Sequence, residues 1–68
     1  MSILVSLTDF LKMTEHHLQK ELHASLKDFP TIWPEDYYIE NMSVKEAKEV
    51  CFKIQEDCVN YLNSNLQG

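Results

Sequence analysis

From Leu7 onward the chain repeats apolar residues every three or four positions. Leu7, Phe10, Leu11, Leu18, Leu22, Leu26 and Phe29 fall on one side of a helical wheel, with Thr14 and Ser25 among them. This spacing predicts an amphipathic helix. Ser6 suits its N-cap, with Asp9 three residues on and Val5 and Phe10 at the two hydrophobic-staple positions. Pro30 sets the far limit, because the residue before a proline is pushed out of the α region. The first helix is therefore expected over about residues 7–28.

A second pattern starts at MSVKEA, where Ser43 and Glu46 have the spacing of a capping box. Val44, Ala47, Val50, Cys51, Ile54, Cys58, Tyr61, Leu62 and Leu66 then share one face, and Glu49, Lys53, Glu56, Asp57 and Asn60 the opposite one. A second helix is expected over about 44–65. Phe52 and Val59 lie to one side of its main stripe and widen the apolar arc beyond what one neighbouring helix covers. Two helices of matched length predict an all-α fold, an antiparallel αα-hairpin forming one small domain over residues 1–68 and completed by dimerisation.

The connector over 29–42 is unusual for a linker. FPTIWPEDYYIEN holds four of the seven aromatic residues (Phe29, Trp33, Tyr37, Tyr38) and both prolines. Pro34 suits the first position of a short helix and Glu35 and Asp36 its first turn, which predicts one or two turns over PEDYYIEN. Two roles are open to the aromatics. Trp33, one tyrosine and Ile39 could fold back to cap the hairpin. Alternatively, Trp33, Tyr37 and Tyr38, rimmed by Glu35, Asp36 and Glu40, could form a protein-binding hot spot, a role in which Trp and Tyr are enriched.

Size adds pressure toward association. A chain of 68 residues buries only roughly 60% of the surface its unfolded form exposes, so small folds recruit a disulfide, a metal or a partner. Cys51 and Cys58 cannot bridge each other: seven residues of helix separate their Cα atoms by about 10 Å, beyond the roughly 7 Å that a disulfide tolerates. Unbridged thiols fit a reducing compartment, and MSILVSLTDF has neither a basic start nor a long apolar run. A cytoplasmic protein without signal peptide or membrane span is expected.

The formal charge is -5, with no arginine and with lysines scattered at 12, 20, 27, 45, 48 and 53. Nucleic acid repels such a chain, and arginine's bidentate contacts to phosphate and guanine are missing. EHHLQKELH resembles the zinc motif HExxH only in composition, since His16 and His23 are seven apart and Lys20 stands four after His16. His16 and His23 are expected as surface groups, while His17 and Glu21, four apart, could make a surface hydrogen bond or half of a weak metal site. The cysteines are expected as buried apolar side chains, and with Gly68 the sole glycine no glycine loop exists to build an oxyanion site. No enzyme, cofactor or metal is expected.

The resulting functional expectation is a small acidic helical protein–protein interaction module, a regulator, inhibitor or adaptor acting by occlusion or tethering. Its partner-binding residues are expected to be Trp33, Tyr37, Tyr38, Glu35 and Asp36, with Phe52 and Val59 joining them or forming a self-association face. The alternatives are a dimeric helical DNA-binding transcriptional regulator, which the missing arginine opposes, and a DNA-mimic inhibitor, for which the charge is moderate.

Overall fold

The computed structural model describes the backbone of residues 4–67 and the side chains of 4–64, so the expected place of Leu66 on the apolar stripe lies outside the described side chains. Two helices pack against each other, α1 over Leu7–Leu22 and α2 over Val44–Gln67, with single 3-10 turns at Leu26–Asp28 and Pro34–Asp36. Among the described residues there is no strand, only one isolated bridge between Leu4 and Ser43.

Both helix starts follow from local chemistry. Ser6 Oγ accepts the Asp9 N–H at 3.2 Å, while Val5 and Phe10 are both buried as a staple. At α2 the box is reciprocal: Ser43 Oγ accepts the Glu46 N–H, and a Glu46 carboxylate oxygen accepts the Ser43 N–H, each at 3.2 Å.

The end of α1 differs from expectation. The helix stops at Leu22, not near residue 28, because His23 turns into the left-handed region (φ 52°, ψ 38°). Its N–H closes on the Gln19 carbonyl at 3.1 Å, and the Ala24 N–H reaches the Leu18 carbonyl at 3.4 Å. Ser25 then starts a new turn as its N-cap: Ser25 Oγ accepts the Lys27 N–H, and Asp28 accepts the Ser25 N–H at 3.0 Å. A serine with an aspartate three residues on was the local signal, and apolar periodicity running through it concealed it. A histidine held left-handed carries a steric cost that glycine lacks. His23→Gly is therefore expected to stabilise the fold by about 0.5–1 kcal/mol, read as a raised urea midpoint at unchanged slope; an unchanged or lowered midpoint would contradict this.

The direction of α2 is also corrected. Val5 N–H donates to the Met42 carbonyl at 2.9 Å, Thr14 Oγ1 lies 3.7 Å from Cys51 Sγ, and His17 bonds Gln55. Contacting positions rise together along both helices, so α1 and α2 run the same way. An antiparallel pair would make one number fall as the other rises. The connector accordingly travels back along the pair. Phe29 meets Tyr61 edge-on at 5.7 Å, toward the C-terminal part of α2. Tyr38 lies 5.6 Å from the Phe10 ring and donates its hydroxyl to the Val5 carbonyl at 2.7 Å, at the opposite end.

The core takes Phe10 and Leu18 from α1, Phe29 and Met42 from the connector, and Ala47, Cys51, Ile54 and Cys58 from α2. Thr14 is the one buried polar residue recorded, and its hydroxyl donates to the Phe10 carbonyl at 2.9 Å. The expectation that Trp33 and Ile39 cap the core is overturned: they are 58% and 55% exposed. Phe29, Pro34 and Met42 are buried instead. Helical geometry in PEDYYIEN is confined to the proline turn, and Asn41 adopts φ 67° before α2 begins.

Candidate functional site

The connector and α1 enclose an apolar groove of about 490 Å³. Leu11 of α1 lines it together with Leu26, Phe29, Pro30, Ile32, Trp33 and Pro34. Lys12, Lys27 and Glu35 stand among its lining residues. Glu15, also in the lining, joins α1 to the turn that follows it. Its carboxylate accepts from Gln19 at 3.0 Å and from the Leu26 N–H at 3.2 Å, tying the Leu26–Asp28 turn to α1. Burial would raise the Glu15 carboxyl, but hydrogen bonds from Ser25, Gln19 and Leu26 and the charge of Lys27 outweigh it and hold it below its ordinary 4.5.

Of the residues expected at a partner surface, Trp33 and Glu35 line this groove and Asp36 lies exposed next to them. The tyrosines are used differently. Tyr37 is half-buried and donates its hydroxyl to Asp57 of α2. That hydrogen bond, with burial and the charge of Asp57, pushes the phenol from 10.0 up to about 12, so it remains a donor at neutral pH. Tyr38, also half-buried, reaches the Val5 carbonyl. The two rings point to different elements and pin the connector to both, which leaves Trp33 as the exposed aromatic of the stretch. Leu11, Leu26 and Ile32 were missed as groove residues because an apolar stripe on a wheel does not say which of its members stays uncovered.

Phe52, 58% exposed, and half-buried Val59 do not join Trp33 in that groove. Phe52 lies instead in a second pocket of about 350 Å³ between α1 and α2, lined also by Met13, His16, His17, Lys20, Glu21 and Lys48. His17 is not paired with Glu21. It bonds Gln55 Oε1 at 2.6 Å and sets its ring edge-on to Phe52 at 4.7 Å. His16 and His23 are exposed, as expected.

Cys51 and Cys58 are free and buried. Burial, followed by the charge of Asp57, pushes Cys58 from 9.0 up to about 11; burial raises Cys51, partly offset by Thr14. Each pKa unit removes a factor of about ten in thiolate at neutral pH, and the thiolate is the nucleophile. Alkylation by iodoacetamide at neutral pH is therefore expected to be at least ~10-fold slower in the folded chain than in urea. Equal rates would show that the thiols are open.

Among the described residues no three His, Cys, Asp or Glu groups converge to hold a metal ion, and no helix is long and apolar enough to cross a membrane. Compared with known proteins, the chain matches no family model, no curated protein and no solved structure.

Proposed function

We propose that this chain is a helical protein–protein interaction module which regulates, inhibits or tethers a partner protein by seating one of its apolar side chains in the Trp33 groove. One observation carries the reading: the only tryptophan stands 58% exposed in the lining of an apolar groove in which Glu15 ties the Leu26–Asp28 turn to α1. Exposing a tryptophan in a chain this short of core material forgoes burial of one of its largest apolar groups. A partner that covers it recovers that burial and displaces water from a preformed wall, which is the usual chemistry of a hot spot. Glu35 and Asp36 form the acidic side of the contact, and Tyr37 and Tyr38 keep the connector in place beneath it.

Self-association belongs to this reading at a different place from the one Phe52 and Val59 suggest. A twofold contact centred on Phe52 would set one net-positive lining against another. The uncharged candidates are Leu4, Ile39 and Val44, all exposed beside the Leu4–Ser43 bridge.

Light scattering across concentration with tryptophan emission on the same samples tests both parts. The expected result is emission typical of a wet indole at every concentration, even where the mass doubles. Emission that shifts to the blue as the dimer forms would mean that Trp33 is covered by a second copy and that the groove has no other partner.

A further inference from the structure

The pocket around Phe52 reverses the charge of the molecule locally. On a chain of formal charge -5, it gathers Lys20 from α1 and Lys48 from α2, with His16 and His17, against the single carboxylate of Glu21. Those two lysines are 28 residues apart in sequence, and only the parallel packing of the helices brings them to one rim. The floor between them is apolar, built from Met13, Cys51 and Phe52. Phe52 is exposed yet held in place: His17 sets its ring against it at 75°, and the Gln55 side-chain Oε1 accepts the His17 Nε2–H, fixing the imidazole in turn. An aromatic surface fixed in advance costs little ordering on binding.

We propose that this pocket docks an acidic peptide segment of a partner protein, one apolar or aromatic side chain packing on Phe52 while flanking carboxylates meet Lys20 and Lys48. Charge complementarity selects this occupant. Glu49 and Glu56, one helical turn from Phe52 on α2, are the nearest further acids. The contact therefore relies on the flanking carboxylates meeting Lys20 and Lys48 directly, within the screening length of roughly 8 Å at physiological salt. A nucleic acid duplex is longer than the pocket and meets those acids, with no arginine to grip its phosphates. A second copy fails on the like charges described above. The surface is separate from the Trp33 groove, so either can fail without the other.

The test uses the full isotope-labelled chain and a capped probe peptide, EDLFED, with its uncharged counterpart QNLFQN, followed by amide chemical shifts. EDLFED is expected to move signals around His17, Lys20, Lys48 and Phe52. Binding should weaken at least ~10-fold in the Lys20→Glu, Lys48→Glu double variant, whose exposed positions leave the thermal midpoint unchanged, and should persist in Trp33→Ala. No shifts at millimolar peptide, equal binding of QNLFQN, or the same shifts from a DNA duplex at physiological salt would each overturn the proposal.

Discussion

Phe10→Ala is expected to remove a large part of the folding stability. Phe10 is fully buried, closes the staple with Val5 at the start of α1, and faces the Tyr38 ring at 5.6 Å. One side chain thus joins the first helix to the returning connector, and Tyr38 in turn holds the Val5 carbonyl. Truncating a buried phenylalanine to alanine costs about 3–5 kcal/mol, from lost transfer energy and the cavity left behind. A domain of this length has roughly 3–10 kcal/mol to lose, at ~0.05–0.15 kcal/mol per residue. Circular dichroism with urea titration reads the result directly: helical signal largely gone in water, or a midpoint moved far down. Phe52→Ala is the control, since its ring is mostly in water, and should shift stability by less than about 1 kcal/mol. Comparable effects from the two would mean that the core is not where the packing puts it.

Trp33→Ala is expected to have the opposite profile, with folding kept and partner binding lost. Its ring is 58% exposed and lies outside the core cluster. Tryptophans that anchor interfaces cost about 2–4 kcal/mol when truncated, which is roughly a 30- to 1,000-fold loss of affinity at ~1.4 kcal/mol per tenfold. Titration calorimetry against a partner recovered with the wild-type chain measures it, with urea midpoints recorded in parallel. Tyr37→Phe, which removes an inward-facing hydroxyl, should leave that affinity within about threefold. If Trp33→Ala binds as tightly as wild type while Glu35 and Asp36 charge reversals also change nothing, the groove is not the contact surface.

The features legible in the sequence are those decided within a few residues. Ser6 with Asp9, and Ser43 with Glu46, announce their helices because the capping bonds close over three positions. The apolar stripes foretold the centre of each buried face, where Phe10, Leu18, Ala47, Cys51, Ile54 and Cys58 are core, but not its ends, where Leu7, Val44 and Leu62 stay exposed. Relative direction was not legible, because a stripe has the same spacing whether its neighbour runs up or down. The length of the connection would have informed it, but that depended on seeing α1 stop at Leu22. The stop is made by a histidine in a conformation usually left to glycine, which composition does not reveal. With α1 ending there, the 21 residues before Val44 are enough to walk back along the pair, whereas a short loop would have forced the antiparallel arrangement. The same applies to the candidate surfaces. Lys20 and Lys48 read as scattered charges until the helices align, and Trp33 reads either as core or as surface until Phe29 is seen in the core.

The parallel course of the helices also fixes where anything attached to the chain would point. Leu4 sits beside Ser43, at the start of α2, and Gln67 ends that same helix. At about 1.5 Å per residue the 24-residue helix holds the two roughly 36 Å apart, on a body 47 Å in its longest dimension. A hairpin of the expected kind would have brought them to one end. Here the molecule is a strut with Leu4 and Gln67 toward opposite poles and both candidate surfaces on its flanks. Something joined before Leu4 and something joined after Gln67 would be kept apart, while whatever binds the flanks sits between them.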